Sequence, residues 1–269
     1  MILARGVQGE RTMLDYDDEQ LSAPPRRKDK QVAPTQNKTL FEEMLFRVIA
    51  RQQGVSGLAC FYGPSGYGKT FSARGVSHDT EAYYVEMGES WSRKTLVQRV
   101  ARELGIRGYE KSSISDLMEL VIERLSDEPN RPLIIDESDY LAKKGLIDIV
   151  REMLDKSDAV IILIGEERLP DKLKLFERSH NRVMDWVPAV PCGIADAGLL
   201  SYINASGIDV SDDLLKLFVE KCHGCTRRIV TNLSRIPEIA RNRDLKRVSL
   251  ADWASTPVFT GDAPKRRVL

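Results

Sequence analysis

The sequence predicts an α/β domain, a mainly parallel sheet covered by helices on both faces, followed by a small helical domain. Three observations carry that expectation. Between residues 40 and 190, short apolar runs alternate with amphipathic helical patterns. A glycine-rich octapeptide at residues 63–70 lies between the first apolar run and the next helical pattern. Beyond Pro188 and Pro191 the strand-like runs stop and only helical periodicity remains.

Taken in order, residues 1–39 read as a flexible tail. Acidic (Asp15, Asp17, Asp18, Glu19) and basic (Arg26, Arg27, Lys28, Lys30) clusters surround Pro24 and Pro25. Such a segment buries too little apolar surface to offset its ordering entropy. Leu40, Phe41, Met44, Leu45, Val48 and Ile49 then recur at helical spacing, with Gly54 as a stop. Strands are expected at 58–62, 82–87, 133–136, 159–164 and 183–187. Between them lie three helical patterns: Leu96, Val97, Val100 and Leu104; Leu117, Leu120, Val121 and Leu125; Leu146, Ile149, Val150, Met153 and Leu154. Residues 191–247 form the helical domain, with patterns around Leu199–Ile203, Leu214–Phe218 and a run through Ile229, Leu233, Ile236 and Ile239. Residues 248–269 are expected to be a C-terminal tail carrying Lys265, Arg266 and Arg267.

Composition narrows the function. The 269 residues are 42% hydrophobic, enough for a sizeable core. Forty basic residues balance 40 acidic ones, which excludes a globally basic, histone-like binder. No run approaches the roughly 20 apolar residues of a membrane helix, so no membrane partner is expected. The N-terminus lacks the apolar core of a secretory signal. With four cysteines in a chain of this length, a cytoplasmic, reducing location is the default.

The octapeptide Gly63, Pro64, Ser65, Gly66, Tyr67, Gly68, Lys69 and Thr70 has the spacing of a phosphate-binding loop. Successive backbone N–H groups at a helix start form an anion nest. Lys69 would reach the outer phosphates and the Thr70 hydroxyl would ligate Mg²⁺. The apolar run Leu133-Ile-Ile ends in Asp136 and Glu137, suited to holding Mg²⁺ and polarising an attacking water, respectively. Read blandly, it is a strand followed by an acidic turn. In FERSHNRV, Arg178 and Arg182 could stabilise charge on the γ-phosphate of a neighbouring subunit, with Arg182 favoured, or simply complement a helix end. Gly224-Cys-Thr-Arg227 has a GxxR spacing that lets a lid arginine meet the same nucleotide; Arg227 is the first choice and Arg228 the alternative. Cys222 and Cys225 lack further ligands at zinc spacing, so metal or redox chemistry is discounted.

These four elements, in this order, resemble the AAA+ ATPases over roughly residues 40–243. Within them, IIDESDYL, IILIGEERL and the RSHNRV segment look like the branch of the Mu phage B protein and the TnsC-like target selectors of transposons. The resemblance implies ATP and Mg²⁺ as cofactors, a homo-oligomeric ring or helical filament, and sequence-nonspecific binding to double-stranded DNA. It further implies a transposase as partner and a role in DNA transposition. The alternatives are a helicase-loader or initiator-like ATPase, and a signalling or secretion ATPase that never touches DNA. Two departures stand out. The tail is too short for the N-terminal DNA-binding domain of the Mu protein, and the fourth strand ends in Gly165-Glu166 where many AAA+ proteins carry a sensor Asn.

With no net positive charge, DNA contact has to come from local patches. Arg93 and Lys94, after Ser92, open one helical pattern, and Lys111, Ser112 and Ser113 open the next. Both offer helix-start N–H groups and cations to phosphates. Ordinary N-capping by Ser92 and Ser113 is the competing reading.

Overall fold

A computed structural model describes residues 32–263. Most of the expected N-terminal tail and the Lys265–Arg267 cluster lie outside them. The five apolar runs form one parallel sheet: β1 (Leu58–Tyr62), β2 (Tyr83–Glu86), β3 (Leu133–Asp136), β4 (Ile161–Gly165) and β5 (Val183–Pro188), in the order β2-β3-β4-β1-β5. β1 pairs with β4 on one side and β5 on the other. Alternate residues face opposite cores, the period-two pattern of a sheet buried on both sides. Leu58, Cys60, Leu133, Ile135, Ile161 and Leu163 face one core; Ala59, Phe61, Ile134, Ile162 and Ile164 face the other.

Helices α1 (Gln36–Ile49) and α2 (Lys69–Asp79) cover the second core with Phe41, Met44, Leu45, Val48, Ala73 and Val76. The first is covered by α3 (Arg93–Glu103), α4 (Ile114–Asp127), α5 (Asp139–Lys143), α6 (Ile147–Ser157) and α7 (Leu169–Lys174). A single turn, α8 (Glu177–His180), leads into β5. The short helices α5, α7 and α8 carry too few residues to show a period in sequence. α1 starts at Gln36, ahead of the expected Leu40. The Gln36 N–H donates to Asp196 Oδ1 at 2.9 Å, while Thr35 makes no side-chain cap. A cap supplied from so far along the chain leaves no local signature.

The helical domain, or lid, contains α9 (Ile194–Asn204), β6 (Asp209–Val210), α10 (Asp212–Lys221), α11 (Thr226–Leu233), α12 (Ile236–Arg243), β7 (Arg247–Val248) and α13 (Leu250–Trp253). The run from Ile229 to Ile239, which reads as one helix, breaks before Ile236, with Pro237 in the first turn of α12. The residues from 248, expected as tail, extend the lid. Val248 pairs with Val210, Ser249 and Asp252 form a capping box, and Trp253, 1% exposed, packs edge-on against Phe218 at 4.8 Å. Among the described residues, no helix is long and apolar enough to cross a membrane.

Candidate functional site

The phosphate-loop residues connect the interior strand β1 to α2, so the loop emerges at the carboxyl ends of the strands. Gly66 sits at φ +84, and a Cβ there would lie 2.6 Å from Cys225 Sγ, so both conformation and contact require glycine. Lys69 Nζ folds back to donate to the carbonyls of Gly63 at 2.6 Å and Pro64 at 2.9 Å. Burial lowers the Lys69 pKa, opposed by the carboxylates of Asp136, Glu137, Asp139 and Glu166.

Those carboxylates gather where β3 and β4 end. Thr70 Oγ1 donates to Asp136 Oδ2 at 2.7 Å, and the Glu137 N–H donates to Asp136 Oδ1 at 2.8 Å. Glu137 is held in the left-handed region, φ +56, a costly conformation for a residue with a side chain. The next residue fixes it there: the Ser138 N–H donates to Ile164 O at 2.8 Å and Ser138 Oγ to Ile135 O at 2.7 Å. Burial raises the Glu137 pKa, helped by Asp136, Asp139 and Glu166. Where the sensor Asn would be expected, the Glu166 N–H donates to Asp139 Oδ2 at 2.6 Å, and Lys172 Nζ donates to Asp139 Oδ1 at 2.5 Å.

The lid closes on the loop through the start of α11. The Arg227 N–H donates to Gly66 O at 2.9 Å, and the Thr226 methyl lies 3.6 Å from a Cβ built on Gly68. Arg227 is exposed on this side, whereas Arg228 lies against Gly261. The two arginines that sequence leaves open thus differ in setting, Arg227 exposed at the loop and Arg228 partly covered. Gly224, at φ +67, is packed so tightly against Pro191 that a Cβ would collide with it, and its carbonyl accepts from the Cys192 N–H at 2.9 Å. Cys222 is buried, with Asn232 Nδ2 3.5 Å from its Sγ, and burial raises its pKa.

Asn37, which carries no signal in the sequence, ties these parts together. It is 3% exposed; its Nδ2 donates to Tyr67 O and Val190 O, and its Oδ1 accepts from the Val190 N–H, all at 2.8 Å. One amide thus joins the phosphate loop to the chain entering the lid.

The two arginines before β5 are in different circumstances. Arg182, the favoured one, is tied to its own chain: its Nε donates to Asp155 Oδ1 at 2.8 Å, and Asp155 also takes Arg151 at 3.0 Å. Arg178 is exposed and makes no ion pair among the described residues. To reach outward, Arg182 would first have to break its pair with Asp155.

The expected DNA contacts come together. The segment after α3 runs back along it, with the Ile106 N–H donating to Ala101 O at 3.0 Å and Gln98 Nε2 to Tyr109 O at 3.3 Å. α4 consequently begins beside the start of α3, and Arg93 and Ile114 line one groove of about 360 Å³. Arg93, Lys94 and Lys111 are exposed. The Ser92 and Ser113 hydroxyls cap their helices, each accepting a backbone N–H at 3.2 Å, and Ser112 Oγ donates to Gly108 O at 3.2 Å. The serines are thus occupied by the local backbone and the cations are not.

A phosphate loop after the interior strand β1, paired carboxylates at the end of β3 and a helical lid define the AAA+ P-loop fold. Residues 52–173 match the family model described as the AAA domain. Among solved structures, the Aeropyrum pernix ORC2 protein is 15% identical with a TM-score of 0.61, covering 83% of this chain and 68% of that one. Cdc6p from Pyrobaculum aerophilum is 18% identical with a TM-score of 0.60, covering 84% and 66%. The Aeropyrum pernix ORC1 protein, solved in complex with DNA, is 19% identical with a TM-score of 0.57, covering 81% and 63%. The chain thus spans about two thirds of the length of these proteins. No curated protein matches it.

Proposed function

We propose that the protein is a Mg²⁺-dependent ATPase of the initiator-like kind, which binds ATP between copies of itself and holds duplex DNA without strong sequence preference while the nucleotide is intact. The observation that carries the ATPase reading is the meeting of Thr70 Oγ1 and Asp136 Oδ2 at 2.7 Å beside a glycine-cradled loop capped by the lid. Two hard oxygens at the mouth of an anion nest fit magnesium, which prefers one or two protein oxygens plus phosphate. When bound, the metal would neutralise charge on the phosphates.

The chain's own groups supply the remainder. Lys69 exchanges its loop carbonyls for phosphate oxygens. Glu137, its pKa raised, accepts the proton of the attacking water. Arg227 contacts the nucleotide from the lid, and Arg178 of a neighbouring copy offers its guanidinium to the γ-phosphate. Hydrolysis removes the group those arginines hold, so ATP turnover times the disassembly of the oligomer.

DNA contact is supported by the adjacent starts of α3 and α4, where Arg93 lines the shared groove and Lys94 and Lys111 are exposed close by in sequence to the two helix starts. ORC and Cdc6 proteins are among the similar structures, which favours an initiator-like reading over target selection for a transposase. The transposase partner rests on the motif resemblance alone.

The test is co-sedimentation with random duplex DNA in ADP, ATP or a slowly hydrolysed ATP analogue, at two salt concentrations. Pelleting that requires ATP, weakens steeply with salt and disappears in Arg93→Ala/Lys94→Ala is the expected result. No DNA association in any nucleotide state would leave a protein-directed switch.

A further inference from the structure

Asp136 has a third donor that neither the loop nor its own strand supplies. β2 is the edge strand, and Tyr84 stands in register with Ile134, so its side chain shares the face of the sheet on which Asp136 lies. Its hydroxyl donates to Asp136 Oδ2 at 2.6 Å, the oxygen that also accepts from Thr70 Oγ1 at 2.7 Å. The other oxygen is occupied by the Glu137 N–H at 2.8 Å. A carboxylate held at both oxygens has one orientation instead of a freely turning plane. The tyrosine ring is itself pinned: the Arg74 guanidinium lies 5.3 Å from its centroid and reaches Glu86 at 2.6 Å. α2 thus bears on Asp136 twice, directly through Thr70 and indirectly through Arg74 and Tyr84.

We propose that Tyr84 is a positioning residue for the magnesium site, fixing Asp136 in the orientation that the metal and its waters require. This rests on the magnesium–nucleotide reading above. Hydrogen bonds that orient ligating carboxylates are commonly worth about 10–100-fold in metal affinity. The phosphate loop itself, by contrast, does not touch Tyr84's hydroxyl, so nucleotide affinity without metal should not depend on it.

The experiment follows binding of a fluorescent, slowly hydrolysed ATP analogue as magnesium is titrated into metal-free full-length protein. Tyr84→Phe keeps the ring beside Arg74 and removes the hydroxyl, with the bonds that hydroxyl makes to Asp136 and Arg74. The magnesium midpoint should rise about 10-fold or more, with analogue affinity in EDTA unchanged. Tyr84→Leu should show the same midpoint shift and a lower melting temperature. A Tyr84→Phe midpoint equal to that of the wild type, with only Tyr84→Leu displaced, overturns the proposal, since packing and not the hydroxyl would then matter. If the wild type binds the analogue identically with and without magnesium, and Lys69→Ala changes nothing, the nucleotide reading fails and takes this proposal with it.

Discussion

Glu137 shows how a single residue carries both a structural cost and a chemical use. Its backbone is in the left-handed region, and burial, reinforced by the carboxylates of Asp136, Asp139, Glu166 and Glu86, holds its pKa in the folded protein above that of the unfolded chain. The folded state then binds the proton more tightly, and the ionised carboxylate opposes folding at pH above that raised value. This penalty fades as pH falls through it. Glu137→Gln should therefore melt no lower than wild type at neutral pH, with any advantage shrinking as the solution is acidified. Phosphate release should drop by about 10²–10⁴-fold. Thermal melts across pH, paired with a phosphate assay, check both; a clear loss of stability at neutral pH would contradict the electrostatic account. Lys69, Thr70, Asp136 and Glu137 are legible in the sequence because their spacing along contiguous strand and loop segments prescribes their placement. Tyr84, Asn37, Asp139 and Lys172 are not, because each reaches its partner across the fold and nothing beside it in sequence marks it.

At the scale of elements, the alternation of apolar runs locates the five strands of the main sheet, and misses the two-residue strands β6 and β7, the break before Ile236 and what depends on distant partners. The start of α1 is fixed by Asp196 in the lid, and the last layer of the lid by Trp253, an isolated aromatic in a polar stretch. Asn37 shows what such cross-element ties are worth. Asn37→Leu would leave half-buried backbone groups of Tyr67 and Val190 without that partner, at a cost of about 1 kcal/mol or more. Denaturant unfolding would register it, and weaker nucleotide binding should accompany it because the loop loses its anchor at Tyr67. The two arginines near β5 should separate in the same way. Arg178→Ala is expected to suppress hydrolysis while leaving nucleotide binding intact. Arg182→Ala, which breaks an exposed pair with Asp155, should change stability by less than about 1 kcal/mol. Reversed phenotypes would return the trans role to Arg182.

Over the whole molecule, 40 basic and 40 acidic residues leave no net field to steer DNA, so any affinity must be local and multiplied by assembly. The fold class is legible in the sequence because the sheet's two apolar faces and the glycine loop are written in contiguous stretches. The packing of the lid against the loop is not, since it rests on Gly66 meeting Cys225 and on the Arg227 N–H reaching Gly66 O, contacts between segments far apart in the chain.

The strand order also sets a timetable for synthesis. β1, which carries the phosphate loop, is flanked by β4 and β5, strands made on the order of a hundred residues later, and pairings of that span form slowly. While the ribosome works through the intervening helices, the loop's strand has neither neighbour and its apolar edges are exposed to chaperones. Nascent chains arrested at increasing lengths should be captured on immobilised ATP only once β5 has left the exit tunnel. The protein would thus acquire its ligand late in translation, although the loop that grips it is made early.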